Sequence, residues 1–279
     1  MDDNNTIPID LTTLAGIALE AGNAILTIRN NGFDKSFKSD GSPVTEADLA
    51  ADTIINSALA ALTPDIPRIT EETWSDNGAE PSVYWCVDPL DGTKGFINGG
   101  RDFTVNIALV ANHYPELGVI YAPALGKLWV GGKGEAWMAT SSPSTGANLD
   151  DYLAKTPLTA RMINRDNPII VATKAHRSPA LEGWINSLNA RSSTAVGSSL
   201  KFCELAMGHA DLYPRIGPTM EWDTAAGQAI LEAAGGTMIG SDGRRFAYGK
   251  AGRLNTPFSA MGITEGEIPT SWMPPERHG

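Results

Sequence analysis

Two aspartates three residues apart carry the clearest chemical signal in the sequence. Residues 83–87 form a short apolar, β-rich run, and Asp88 and Asp91 follow it on a segment shaped by Pro and Gly. Magnesium prefers oxygen ligands in near-octahedral geometry, so the two carboxylates and the Leu90 carbonyl between them could offer three oxygens to a metal pair. The same aspartates could instead cap a turn, as Asp often does.

The residues that follow Asp91 could hold an anion. If Gly92, Thr93 and Lys94 begin a helix, their unpaired backbone N–H groups and the positive end of the helix dipole can cradle a phosphate. Gly92 has no side chain, so an anion can approach the backbone there. The segment therefore predicts a metal site and a phosphate site side by side.

Further acidic residues are weaker signals when each is taken alone. Glu71 and Glu72 follow apolar Ile69 at the predicted end of a strand, where they could be a solvated acid pair. Asp223 lies at the predicted start of a helix, where it could be an N-cap. Asp48 falls in the first turn of another predicted helix, where a carboxylate adds modest stability without chemistry.

Composition disfavours several classes of protein. The 279 residues are 42% hydrophobic, enough for a substantial core, and 32 acidic against 21 basic side chains give a net charge of -11. Such a charge disfavours binding to a nucleic acid polymer, and a phosphate ligand would need local cations. No run of about 18 apolar residues is present and the first residues are acidic, so we expect a cytoplasmic protein without an integral membrane segment. Cys86 and Cys203 lie in apolar contexts and are expected to be buried thiols.

Apolar periodicity predicts two halves of different character. The first contains helices at residues 11–28 and 45–62, followed by a predominantly antiparallel sheet within residues 83–138. The second alternates strand and helix. Its predicted strands are 169–173, 194–196 and 211–216, and its predicted helices are 181–188, 199–207 and 222–234.

The predicted domain boundary lies in a segment of unusual composition. Residues 141–148 are rich in Ser, Thr, Pro and Gly, which predicts a surface excursion. We place the boundary shortly after it. The expected domains are 1–158, which carries the antiparallel sheet and most metal ligands, and 159–279, which carries Asp223 and the substrate-binding residues.

Two segments resemble the signature motifs of a known family. They are Val87-Asp88-Pro89-Leu90-Asp91-Gly92-Thr93 and Glu221-Trp222-Asp223-Thr224-Ala225-Ala226-Gly227. They resemble the motifs of the inositol monophosphatase-like, lithium-sensitive phosphatases, and residues 42–48 and 197–202 extend the resemblance over nearly the whole chain. The resemblance implies an α/β protein with α+β layers, an α-β-α-β-α sandwich of the inositol monophosphatase/fructose-1,6-bisphosphatase type. The metal site would lie between its two halves.

The resemblance also implies a cofactor and the residues that hold it. Two or three Mg²⁺ ions would be bound by Glu71, Asp88, Asp91 and Asp223, with Asp91 shared between two sites and with the Leu90 carbonyl and the Thr93 hydroxyl as supplementary ligands. Asp48 would pair with Thr93, and together they would orient and help to deprotonate the attacking water. The sequence has no C-x5-R or G-x-S-x-G motif for a covalent intermediate, which is consistent with direct metal-assisted hydrolysis.

Within this family, the sequence most resembles the 3'(2'),5'-bisphosphate nucleotidases. That resemblance implies a small-molecule phosphate monoester as substrate, namely 3'-phosphoadenosine 5'-phosphate, cleaved to AMP and phosphate. Ser198, Ser199, Lys201 and Arg215 would bind it. The ordinary interpretations are a helix N-cap for Ser199, a solvated helix charge for Lys201 and a surface cation for Arg215. One position departs from the pattern, because Gly95 stands where these enzymes usually have Glu, and this loosens the loop.

Two alternatives to this function stay open at the level of sequence. The chain could be another phosphatase of the same family, acting on inositol monophosphate, histidinol phosphate or fructose bisphosphate. It could also be a catalytically inactive protein that binds a phosphate metabolite, although every implied metal ligand is present. A homodimer is compatible with either.

Overall fold

The computed structural model describes residues 9–38, 41–76, 78, 80–140, 154–173 and 178–275. The surface excursion predicted at 141–148 lies outside the described residues. Cys86 and Cys203 are free, buried thiols, as expected.

The first half of the chain is built on a seven-stranded sheet. The strands follow the order β3-β4-β5-β6-β7-β8-β9, and every neighbouring pair is antiparallel except β3 and β4. A separate two-stranded ribbon, β1 with β2, lies between the first two helices in sequence. The elements are α1 (Leu11–Asn31), β1 (Lys35–Phe37), β2 (Pro43–Thr45), α2 (Glu46–Leu62), β3 (Arg68–Thr70), β4 (Val83–Asp91), α3 (Thr93–Ile97), β5 (Thr104–Ala111), β6 (Tyr114–Ala122), β7 (Lys127–Gly132), β8 (Glu135–Thr140) and β9 (Thr156–Pro157).

The second half is built on a five-stranded mixed sheet in the order β11-β10-β12-β14-β13. Strand β10 is parallel to both of its neighbours, and β14 is antiparallel to both of its own. The elements are β10 (Ile169–Thr173), α4 (Pro179–Ser187), β11 (Ser192–Val196), α5 (Leu200–Ala206), β12 (Leu212–Arg215), α6 (Ala225–Ala233), β13 (Thr237–Gly240) and β14 (Phe258–Met261).

Three apolar clusters join these elements into five layers. The first lies between α1, α2 and one face of the larger sheet. The second lies between the other face of that sheet, helices α5 and α6, and the smaller sheet. The third covers the outer face of the smaller sheet with α4. The α-β-α-β-α layering implied by the family resemblance is therefore confirmed.

Helix α1 is the longer of the two helices in the first layer. It ends before Gly32, whose positive φ of 83° favours glycine. Among the described residues it is the one helix whose length and composition alone would allow it to cross a membrane. Leu14 and Ile25 on this helix are fully buried in the first apolar cluster.

The observed elements differ from the sequence predictions at informative places. The strand predicted to end at residue 87 continues as β4 to Asp91, with an irregular register between Asp88 and Asp91. Pro89 in this segment has no N–H for the ladder, which accounts for the irregularity. The helix predicted at 222–234 begins later, because residues 221–223 form a separate 3₁₀ turn before α6. The domain boundary at 158/159 stays a proposal, and β9 is the last strand of the larger sheet.

Candidate active site

Three aspartates form a compact carboxylate cluster at the end of β4. Ligand oxygens of Asp88, Asp91 and Asp223 all lie within 4.8 Å of one another. Residues three apart on a regular strand point to opposite faces, so the irregularity in β4 is what lets Asp88 and Asp91 share one site. The N–H of Leu90 donates to Asp88 Oδ1 at 3.0 Å, and the N–H of Met220 donates to Asp223 Oδ2 at 2.8 Å. The backbone therefore fixes two of the three carboxylates.

Glu71 joins the same site from the neighbouring strand. It follows β3, and its N–H donates to the carbonyl of Val87 at 3.1 Å, which holds the residue beside the end of β4. Nζ of Lys38 lies 2.8 Å from Glu71 Oε1 and 2.8 Å from Glu72 Oε1. No local pattern in the sequence predicts Lys38 at this site, because Lys38 is more than thirty residues away from both glutamates along the chain.

The site concentrates more negative charge than a protein interior tolerates unaided. Burial, and then the charges of Glu71, Asp91 and Asp223, raise the pKa of Asp88 well above its usual range. Burial and the charge of Asp91 raise the pKa of Asp223 to about 8. Burial also raises the pKa of Glu71, although Lys38 opposes the rise. Bound cations would remove this penalty.

The donor set fits a hard divalent cation. The cluster offers carboxylate oxygens only, and Leu90 and Glu71 line the same cavity. All-oxygen sets suit Mg²⁺, Ca²⁺ and Mn²⁺ rather than zinc in a thiolate or imidazole site. The residues present therefore fit a hard divalent cation.

Asp48 and Thr93 are in direct contact beside the cluster. Oγ1 of Thr93 lies 3.0 Å from Asp48 Oδ1 and 3.1 Å from the Leu90 carbonyl. Asp48 belongs to the capping box of α2, so Thr45 donates to its Oδ2 from the backbone N–H at 2.8 Å and from the hydroxyl at 2.6 Å. The capping role considered from sequence and the pairing with Thr93 thus coexist on the two oxygens of one carboxylate.

A cavity of about 480 Å³ opens over these groups. Gly92, Thr93 and Lys94 line it at the start of the short helix α3. Gly92 has a φ of 93°, and an added Cβ would come within 3.0 Å of the Asp102 carbonyl, so this position requires glycine. Thr173, Gly197, Ser198 and Asp223 line it from the second half of the chain, so the cavity lies between the two halves.

A smaller cavity of about 130 Å³ adjoins the first and carries the predicted cations. It shares Asp91 and Asp223 with the larger cavity and adds Lys201 and Arg215. Burial lowers the pKa of Lys201 to about 8, against the opposing effect of Asp91. The Arg215 guanidinium donates to the carbonyls of Gly217 at 3.0 Å and Pro218 at 2.8 Å. Both side chains are buried rather than at the surface, unlike their ordinary sequence interpretations.

The two predicted serines occupy different environments. Ser198 lines both cavities, and its hydroxyl donates to Asp91 Oδ2 at 2.6 Å. Ser199 is buried, and its hydroxyl contacts Thr104 and Asn106 of β5. The sequence analysis did not place Thr104 and Asn106 at this site, although two polar residues in the apolar run of β5 were a visible signal. The substrate roles of both serines stay predictions.

Comparison with known proteins gives a consistent picture. A family model described as "Inositol monophosphatase family" matches residues 10–266. The chain is 40% identical over 243 residues to the 3'(2'),5'-bisphosphate nucleotidase CysQ of Salmonella typhimurium, covering 85% of this chain and 93% of the relative. It is 34% identical over 267 residues to the same enzyme of Buchnera aphidicola, covering 91% and 94%.

Solved structures of two other proteins are similar to this chain. The crystal structure of CysQ from Bacteroides thetaiotaomicron matches with a TM-score of 0.73 and 36% identity, covering 91% of this chain and 97% of that one. An inositol monophosphatase from Anabaena shares the fold, with a TM-score of 0.68 and 22% identity, covering 91% and 89%.

Proposed function

The chain belongs to the inositol monophosphatase family, and from that premise we propose that it is a magnesium-dependent 3'(2'),5'-bisphosphate nucleotidase. Its substrate would be 3'-phosphoadenosine 5'-phosphate, cleaved to AMP and phosphate. The observation that carries the proposal is the pair of adjoining cavities, one walled by carboxylates and one by Lys201 and Arg215. Relatives with 40% identity over 85% of the chain are named for this activity.

The two cavities suit a substrate with two phosphates. The larger cavity has the metal-binding oxygens and the glycine-led helix start of α3, which suit the phosphate to be cleaved. The smaller cavity has room for a group the size of a few water molecules and presents two cations. A charge-assisted hydrogen bond to a second phosphate contributes more than one to a neutral hydroxyl. A substrate with one phosphate would leave the cationic cavity without its matching anion.

We assign the metal ligands as Glu71, Asp88, Asp91, Asp223 and the Leu90 carbonyl, and Mg²⁺ as the ion. When bound, two or three such ions would supply Lewis-acid activation of water and neutralise the charge on the phosphate. The all-oxygen donor set and the raised pKa values of Asp88 and Asp223 support this assignment.

Thr93 and Asp48 would handle the proton of the attacking water. Thr93 has one hydroxyl proton, and donating it to Asp48 Oδ1 leaves the lone pairs of Oγ1 free to accept a hydrogen bond from water. Asp48 is buried and held by Thr45, so it keeps Thr93 in that orientation. This arrangement lets proton transfer proceed at Oγ1 of Thr93 without rearranging the site.

The direct test compares phosphate release from 3'-phosphoadenosine 5'-phosphate and inositol 1-phosphate, each with and without Mg²⁺. We expect magnesium-dependent release with preference for the bisphosphate. A preference for inositol 1-phosphate would reassign the chain within its family. The chain would be an inactive binding protein if Mg²⁺ supported no phosphate release from these two compounds, from fructose bisphosphate or from histidinol phosphate.

Lys201→Met tests binding of the second phosphate separately from binding of the phosphate that is cleaved. Charge-assisted hydrogen bonds are worth about 1.5–3 kcal/mol, so KM for the bisphosphate should rise about 10-fold to 150-fold. KM for inositol 1-phosphate should change little. Lys133→Met, on the exposed turn between β7 and β8, is the matched control. Equal losses on both substrates would contradict the assignment of the cationic cavity.

A cytoplasmic location and a homodimer stay predictions. Fractionation of cells that express the protein would test the first, and analytical ultracentrifugation of the purified chain would test the second.

A further inference from the structure

We propose that Thr104, Ser199 and Asn106 are positioning residues that act through Ser198 to fix the carboxylate of Asp91. Their hydrogen bonds form one chain in which every proton points toward Asp91. The inference rests on the proposed function in one respect, since it takes Asp91 as a metal ligand. The tests below use metal binding as a readout so that the two ideas can fail separately.

The chain of contacts joins both halves of the protein beneath the metal site. Thr104 and Asn106 are two apart on β5, so they face the same side of the sheet, and they pair in register with Asp91 and Asp88 of β4. Ser198 and Ser199 come from the second half, just before α5. Gly197 permits this close approach, because an added Cβ would lie 2.7 Å from Asp102 Cβ.

The contacts are short and mostly removed from solvent. Ser198 Oγ lies 2.6 Å from Asp91 Oδ2 and 2.5 Å from Thr104 Oγ1. Thr104 Oγ1 lies 2.8 Å from Ser199 Oγ, which in turn lies 2.8 Å from the side-chain amide of Asn106. Thr104, Ser199 and Asn106 are each no more than 2% exposed. Water therefore has little access to replace these partners.

The number of available protons determines which group donates in each of these hydrogen bonds. An ionised carboxylate only accepts, so the single hydroxyl proton of Ser198 goes to Asp91. Thr104 must then donate to Ser198. Its own proton is now used, so the contact between Thr104 and Ser199 requires Ser199 as the donor.

The last contact then requires Asn106 to donate through its amide nitrogen. As placed, Oδ1 of Asn106 faces Ser199, and among the described residues Nδ2 of Asn106 has no hydrogen-bond partner. Turning the amide by half a rotation gives Nδ2 an acceptor in Ser199 Oγ. The amide then leaves one N–H and its carbonyl oxygen without a partner, instead of two N–H groups, and an unpaired buried oxygen is tolerated better than an unpaired N–H. The orphaned nitrogen and the proton count therefore support the same orientation.

Hydrogen bonds that all donate toward Asp91 affect the proposed metal site. Each hydroxyl that accepts from the previous one becomes a stronger donor to the next, so the bond to Asp91 Oδ2 is reinforced from Asn106 onward. Asp91 Oδ2 is held in place, and Asp91 Oδ1 stays oriented for a cation. Residues that orient metal ligands in this way typically change metal affinity about 10-fold to 100-fold when mutated.

The first test is Thr104→Val, which keeps the shape of the side chain and removes the hydroxyl. We expect Mn²⁺ binding to the full-length protein, measured by calorimetry without substrate, to weaken about 10-fold or more. Thr104→Ser keeps the hydroxyl and should restore binding to near the normal value. Thr63→Val is the control, because it removes a half-buried hydroxyl that accepts from Trp85 Nε1 far from this chain of contacts. It should lower stability without changing Mn²⁺ affinity.

The second test concerns direction and compares Asn106→Asp with Asn106→Leu. A carboxylate at this position can only accept, so Ser199 would donate to it and the contact between Ser199 and Thr104 would lose its proton. Asn106→Leu leaves Ser199 free to donate to Thr104. The added negative charge would by itself strengthen cation binding, so weaker Mn²⁺ binding in Asn106→Asp than in Asn106→Leu would identify the broken chain. Equal or tighter binding in Asn106→Asp would overturn the proposed direction.

The outcomes also separate this inference from the proposed function. If Thr104→Val binds Mn²⁺ as tightly as the unmodified protein while Asp91→Asn does not, the positioning role is wrong and the metal site stands. If Asp91→Asn binds as tightly as the unmodified protein, Asp91 is not a ligand and both ideas fail.

Discussion

Asp91 is the residue on which the separate parts of the site converge. It lies in the carboxylate cluster with Asp88 and Asp223, accepts from Ser198, and directly precedes the glycine that opens the proposed phosphate cradle. Both cavities include it. A single carboxylate thus links the proposed metal site, the second half of the chain and the proposed substrate cavities.

Asp91→Asn should therefore be far more damaging than its small change in shape suggests. The amide keeps the size of the side chain but removes a charge proposed to be shared by two ions, so we expect turnover to fall by several orders of magnitude. Phosphate release measured across a magnesium titration tests this. Thermal unfolding of the variant should remain cooperative, and near-normal turnover at saturating magnesium would contradict the assignment.

Asp223 predicts an unusual dependence of stability on pH. Its pKa is raised from 3.8 to about 8 by burial and by Asp91, so between these values the folded chain holds a proton that the unfolded chain has lost. Stability of the metal-free protein should thus fall as pH rises from about 4 to 8. Magnesium relieves the same repulsion, so the increase in Tm on adding Mg²⁺ should be larger at pH 8 than at pH 6.

Differential scanning fluorimetry in EDTA and in Mg²⁺ at the two pH values measures this effect. Asp223→Asn removes the titrating group and should flatten the pH dependence in EDTA. If Mg²⁺ raises the Tm by the same amount at both pH values, ionisation of Asp223 does not destabilise the metal-free protein over this pH range.

At the level of elements, the sequence predicted best what depends on local pattern. Residues 169–173 were predicted as a strand and are β10, and the helix predicted after Asp10 is α1. Asp88, Asp91 and Asp223 were found because their motifs are contiguous in sequence. Thr104 and Asn106 were missed because their partners depend on the register of β5 against β4 and on a segment almost a hundred residues away. No local pattern contains that information.

The contact between α6 and the larger sheet gives a test at this scale. Gly118 in β6 lies under α6, and an added Cβ would come within 2.5 Å of the Ala226 carbonyl. Gly118→Ala should push α6 outward and destabilise the protein by about 1–3 kcal/mol. It should also weaken magnesium binding, since Asp223 lies only two residues before α6.

Gly16→Ala is the matched control in α1. An added Cβ there meets nothing within 4 Å, and alanine is the better helix former by about 1 kcal/mol. Urea unfolding with magnesium present should show Gly16→Ala as neutral or stabilising. If the two variants have the same free energy of unfolding, close packing of α6 on the sheet at Gly118 does not contribute to stability.

At the scale of the whole molecule, the net negative charge of the protein opposes binding of the proposed substrate, which is also an anion. The net charge is -11, yet Lys201 and Arg215 line the smaller cavity and Lys38 contacts Glu71, all beside a cluster that can hold divalent cations. Distant surface charges would repel such a substrate, whereas the local cations would attract it. The five-layer fold places the attraction in a buried cleft, where salt screens it little.

Ionic strength should distinguish these two contributions. The Debye length falls from about 30 Å at 0.01 M salt to about 8 Å at 0.15 M, which removes the long-range repulsion but leaves buried contacts nearly intact. We therefore expect kcat/KM for 3'-phosphoadenosine 5'-phosphate to rise over this range at saturating Mg²⁺, with a smaller rise for inositol 1-phosphate because it carries less charge. Tetramethylammonium chloride is the suitable salt, since its cation is too large to compete for carboxylate sites. A fall in kcat/KM would mean that local cations, and not the net charge, dominate the approach of the substrate.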